Sequence, residues 1–244
     1  MDQVLKGAWP NSMRSFSARL RWHCHFIQKL EDEPRLEYEN LHSAYNGLRE
    51  NEFNQAYFEA WCHGKTGYPM VDACMRYLIA TGWINFRMRA LLVSFASYHL
   101  WLDWRITSKY LAKLFTDYEP GIHYSQFQMQ SGTTGINTLR IYNPIKQGID
   151  QDPQGVFIRQ WIPELKDMPL EHLHTPWECE IDLNGYPLPI IDEKVARAYA
   201  REQFSKIRKQ FSHKEESKKI VKKHGSRKRR VSKSTKGNQG ELPI

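Results

Sequence analysis

The stretch Gly82-Trp83-Ile84-Asn85-Phe86-Arg87-Met88-Arg89 sets two arginines beside an indole, just ahead of the apolar run ALLVSFASYHLWLDW. A guanidinium in such surroundings calls for an anionic partner, because an unpaired buried charge is costly. On a helix starting near Phe86, residues Phe86, Arg89 and Val93 share one face and Arg87 points elsewhere. The candidate carboxylates are Asp117 and Glu119 in FTDYEPG. Such a pair can hold a ligand hydroxyl or amine, or simply bind a structural arginine.

The elements that must position these groups read as helices. The pattern over 13–30 is amphipathic, and a second helix falls near 52–62. Pro69 suits a first turn, Asp72 the positive end of a helix and Gly82 its stop, so 69–81 is a punctuated helix. Its buried stripe is Val71, Met75, Leu78 and Ile79. Residues 86–104 read as one long buried helix and 107–115 as another. The Gly-, Asn- and Gln-rich span 119–155 reads as ordered loops and short helices. A short helix over 158–165 and a last one over 192–211 complete the set, with no alternation strong enough for a sheet.

The 244 residues carry a net charge of +8, unevenly spread. Residues 201–240 hold 15 Lys and Arg against 3 Asp and Glu, whereas the rest holds 20 against 24. The basic end points to nucleic acid or another polyanion. From about His213 the chain has too few apolar groups to fold alone. Cys24, Cys62, Cys74 and Cys179 form no C-x-x-C pair, which argues against a zinc knuckle and for reduced thiols in a cytoplasmic protein. The N-terminus shows no secretory signal, and the run 90–104 is too short for a membrane span.

The blocks WCHGKTGYPMVDACMRYLIATGW, RMR, LWLDWR, IYNPIKQG, DPQGVFIRQWIPEL and TPW, together with RLRWHCHFIQKLEDEP, resemble the C-terminal helical domain of the DNA photolyase/cryptochrome family. The resemblance runs from about Arg14 to Trp177. It implies an all-α, multi-helix fold over 1–211 that binds FAD, followed by a basic disordered tail over 212–244. It also implies one of two functions. Either light drives an electron from flavin to pyrimidine-dimer DNA, or the domain is a light or redox sensor without repair. A flavin-free helical nucleic-acid-binding protein is the alternative outside the family's chemistry.

By position, the resemblance assigns Trp83, Phe86, Arg89, Asp117, Tyr118, Glu119 and His123 to the flavin. Arg89 pairs with Asp117 in this assignment. Trp22, Arg87, Met129 and Gln147 fall on the DNA side, and Trp104 matches the middle member of an electron-relaying tryptophan chain. There are departures. Phe86 stands where many photolyases place an asparagine facing flavin N5, and His123, a charge-switchable group, stands at a later asparagine. Phe127 and Met129 replace tryptophans, and Arg19 replaces a glutamate that contacts the dimer. Neither an antenna domain nor a Thr-Ser-x-Leu-Ser-type diphosphate segment is found. The chain therefore reads as a short member or a fragment, with a partner chain as one way to complete the flavin site.

Overall fold

The computed structural model describes residues 9–224. Among these residues the regular elements are helices, and many of them start on a short polar cap such as Asn54, Asn85 or Asp192. α1 spans Trp9–Asp32, α2 Gln55–Cys62 and α3 Pro69–Thr81. Pro69 opens α3, and Gly82 closes it in the left-handed region at φ 72°. Asn85 then accepts the Met88 N–H and starts α4, Phe86–Ser94.

The single helix expected over 86–104 is interrupted. α4 gives way to a π-helical segment, Phe95–His99, and Trp101 takes a left-handed φ of 55°. No helix can continue through that conformation. Asp103 caps the restart by accepting the Arg105 N–H at 2.7 Å, so α5 runs Trp104–Leu114 rather than from Thr107.

The span expected to be loops and short helices contains a full three-turn helix, α6, Pro120–Ser131. Both Glu119 carboxylate oxygens cap it, on the N–H groups of Gly121 and Ile122. α7 (Pro144–Gln151), α8 (Val156–Trp161), α9 (Leu170–Leu173) and α10 (Glu193–Arg208) follow. A 3-10 turn at Pro163–Leu165 finishes the segment begun by α8.

α3 lies at the centre of the main core, where Val71, Met75 and Leu78 pack with Trp61, Leu91, Leu92 and Ile158. Ile79, expected in that stripe, is 47% exposed, because it sits at the edge of the face the other three define. α6 crosses α1 so closely at Gly121 that a Cβ there would lie 2.8 Å from the Ile27 Cα.

The expected disordered tail is corrected over 212–224. α11, Phe211–His224, is a helix docked on the body. The His213 ring stacks on His42 at 4.2 Å, Glu216 accepts the Ser43 N–H at 2.8 Å, and Lys223 reaches Glu33 at 3.0 Å. Ile220 is buried beside Leu36 and Leu41. These few apolar and paired groups suffice because the rest of the chain presents a ready surface for them. The remaining tail, 225–244, lies outside the described residues.

Candidate functional site

Gly82 anchors the site. Its carbonyl accepts the Thr116 N–H at 2.9 Å, and a Cβ on it would meet Thr116 at 2.5 Å. That contact holds the Trp83–Arg89 stretch against the turn after α5. Arg89 thereby reaches Asp117, with Nη2 donating to both carboxylate oxygens at 2.8 and 3.0 Å. Its Nε donates to the Ile84 carbonyl at 2.7 Å, and its guanidinium lies 4.2 Å from the Phe115 ring centroid. The anionic partner that the sequence called for is present, and the cation is held in one orientation.

Arg89 and Asp117 sit on the wall of a cavity of about 300 Å³, with Trp83, Phe86, Phe115, Ile122, His123 and Phe127 supplying most of its apolar lining. Trp83 and Phe86 are half-exposed at its rim. His123 is buried, and its Nε2 donates to the Ser108 carbonyl at 3.0 Å. Burial, aided by the nearby Arg89 cation, pushes His123 down to about 4. The switch expected at this position is therefore corrected: His123 stays neutral at pH 7, with Nδ1 left as an acceptor.

Two expected flavin-side residues, Tyr118 and Glu119, are placed differently, and Trp104, expected in an electron relay, lies in the core. The Glu119 carboxylate is consumed as the α6 cap. The Tyr118 hydroxyl donates to Tyr124 at 3.3 Å, and neither Tyr118 nor Glu119 lines the cavity. Trp104 is fully buried in the core, where its indole N–H donates to Asn40 Oδ1 at 2.8 Å, and it too is absent from the cavity walls.

A second cavity of about 460 Å³ adjoins the first. α1 contributes Arg19, Trp22, His23 and Phe26 to it, α6 contributes Met129, and Arg140 closes one side. Phe86, Ile122, Gln126 and Gln130 border both cavities. Of the expected DNA-side residues, Trp22 and Met129 meet here. Arg87 is exposed on α4 and Gln147 lies on α7, and neither borders the two cavities. Sequence reasoning missed Phe115, Arg140, Gln126 and Gln130. Only the last two carried a readable signal, namely polar residues one turn apart in a helix packed on three others.

Among the described residues, no helix is long and apolar enough to cross a membrane.

Residues 16–206 match the FAD binding domain of DNA photolyase. The chain is 39% identical over 162 residues to the deoxyribodipyrimidine photo-lyase of Escherichia coli (strain K12), covering 64% of this chain and 34% of that protein. It is 38% identical over 162 residues to cryptochrome-2 of Arabidopsis thaliana, covering 62% of this chain and 26% of that protein. Among solved structures, an archaeal photolyase from Sulfolobus tokodaii with two FAD molecules superposes with a TM-score of 0.74 at 34% identity, over 79% of this chain and 44% of that one. A class III photolyase from Agrobacterium tumefaciens gives 0.77 at 29% identity, over 86% of this chain and 45% of that one. The chain thus spans less than half the length of each of these relatives. A match over most of this chain, joined to a shared all-helical architecture, means that it belongs to the photolyase/cryptochrome family as an FAD-binding domain, with FAD as its cofactor.

Proposed function

We propose that the inner cavity holds the isoalloxazine ring of FAD and that the outer cavity admits a pyrimidine dimer of damaged DNA, so that the chain is the flavin-bearing part of a light-driven DNA-repair protein. The observation that carries this reading is the shared wall of Phe86, Ile122, Gln126 and Gln130, which sets an occupant of one cavity against an occupant of the other.

The residues fit a flavin. The walls are flat and apolar, a guanidinium is fixed at the edge, and two buried amide oxygens lack partners among the described residues. At about 300 Å³ the inner cavity is at the small end of ligand pockets, suited to a ring system rather than to a whole dinucleotide. The diphosphate and adenosine then lie beyond it, where a further segment or a partner chain can complete the site. When bound, FAD supplies light absorption and one-electron chemistry. The chain's own groups do the rest. Asp117 aims Arg89, Trp83 and Phe86 exclude water, and neutral His123 offers a hydrogen-bond acceptor without adding charge. Trp22 and Met129 flank a flipped base, and Arg19 and Arg140 draw the phosphate backbone, with Arg87 and Gln147 further along it. Phosphate contacts by the basic stretch 218–236 would add salt-dependent affinity.

A second reading, a light or redox sensor without repair, is favoured by Phe86 at the asparagine position and by Phe127, on the inner cavity wall, at a tryptophan position. The test is a visible spectrum of the purified chain after incubation with FAD, followed by illumination with a reductant and dimer-containing DNA. Bound flavin and restored bases are expected. Failure to bind flavin overturns both readings, and flavin without repair leaves the sensor.

A further inference from the structure

Gln126 and Gln130 lie one turn apart on α6, and both border both cavities. Gln130 is only 5% exposed. The side-chain oxygen of each is buried and has no hydrogen-bond partner among the described residues. Folded proteins rarely leave such groups unpaired, because the lost hydration is not recovered. Two unpaired amide oxygens on one helix face, on residues that both border the junction, mark a place where a ligand can supply the missing bonds. Of the other polar groups of the inner cavity, Arg89 is paired with Asp117 and His123 Nε2 with the Ser108 carbonyl, which leaves His123 Nδ1 as a lone acceptor. Phe86, on the same shared wall, can accept or donate nothing.

A carboxamide offers a C=O acceptor beside an N–H donor, and its two ends are interchangeable by rotation. Two adjacent amides can therefore present a donor–acceptor–donor set. Its complement is an acceptor–donor–acceptor edge, which is the imide C=O, N–H, C=O of a pyrimidine-type ring. An adenine edge offers only two of the three points. We infer that Gln126 and Gln130 form an amide pair that grips the imide edge of a pyrimidine-type ring at the junction of the two cavities. Two rings have this edge, the pyrimidine portion of a flavin and a thymine base. The inference rests on the flavin and DNA reading above for its choice of ligands.

The test uses the 244-residue chain and ligands methylated at the imide nitrogen. FAD is compared with its N3-methyl derivative, and a short oligothymidylate with its N3-methylthymine counterpart. Each is titrated against the native chain and against the Gln126→Met, Gln130→Met double variant. Methylation is expected to weaken binding to the native chain roughly tenfold, the scale of one or two neutral hydrogen bonds, and to cost the double variant almost nothing. An effect confined to FAD names the flavin as the gripped ring, and one confined to the oligonucleotide names the base. Binding that ignores methylation in both series overturns the inference and leaves the flavin reading intact, whereas no binding at all overturns both. Because methionine keeps the volume and removes the unpaired amide, the ligand-free double variant should melt at or above the native temperature. A large fall would show that the glutamines serve the fold, and would also overturn the inference.

Discussion

Asp72 and the Gln126–Gln130 face handle buried polarity in opposite ways. Asp72 is completely buried, yet each oxygen is served twice. Oδ1 accepts from the Thr66 N–H at 2.8 Å and hydroxyl at 2.7 Å, while Oδ2 accepts from the Gly67 N–H at 2.9 Å and the Tyr186 hydroxyl at 2.6 Å. This knot ties the start of α3 to the loop before it and to the distant Tyr186. On α6 two amide oxygens are buried with no such service. One chain thus satisfies a buried carboxylate fully where the fold needs a fastening, and leaves amides open where two cavities meet. Complete networks fix structure, and incomplete ones at a cavity await a ligand.

That contrast can be broken most decisively at Asp72. Asp72→Ala strands four donors at once and should cost roughly 3–5 kcal/mol in urea unfolding. A loss below about 1 kcal/mol would mean the knot is not a fastening at all. The next largest effect is one of pH. His123 is held at about 4 against an ordinary 6.5. Between those values the unfolded chain binds a proton that the folded chain refuses, so stability rises with pH across the window. As pH falls from 6.5 to about 4 the contribution lost should be roughly 3 kcal/mol. His123→Gln should flatten that part of the pH–stability curve, and an unchanged slope would mean that the histidine is not held neutral.

Arg89→Ala should weaken FAD binding by roughly 10–100-fold in a flavin titration, while the half-exposed pair with Asp117 limits the stability change to about 1 kcal/mol. Unchanged flavin affinity would move the cofactor away from this wall. The smallest effect sharpens the contrast most. Gln130→Met in the ligand-free chain should raise unfolding free energy by about 1 kcal/mol, the reverse of the sign at Asp72.

The sequence was most legible where a local signal and the tertiary outcome agree. Pro69 and Gly82 bracket α3, and the Arg89–Asp117 pair follows from the helical placement of Arg89 and the family blocks together. It was least legible where a long-range contact decides. Nothing in ALLVSFASYHLWLDW announces that Trp101 adopts a left-handed backbone, and its ring packs on Arg49, 4.6 Å away but about fifty residues distant in sequence. α6 has no clear apolar stripe, since helices pack on several of its sides, although Glu119, Pro120 and Gly132 mark its ends. α11 was hidden by composition, because its docking rests on Ile220 and a few paired charges that meet a surface made elsewhere. Family likeness located Trp22, Met129, Arg89 and Asp117 at the cavities but sent Glu119 to the flavin, when its side chain caps a helix. It was silent on the two glutamines because it draws attention to positions already known for aromatic or amide groups.

Gly121 lines neither cavity, yet it sets how close α1 can lie to α6, and α1 brings Arg19, Trp22, His23 and Phe26 to the outer cavity. With a Cβ at that position only 2.8 Å from the Ile27 Cα, any larger residue must lever α1 outward along its length. The bore of the outer cavity is therefore inherited through one hydrogen atom where other residues carry a side chain. A descendant can admit a bulkier guest by a single codon change at a site that never meets the guest.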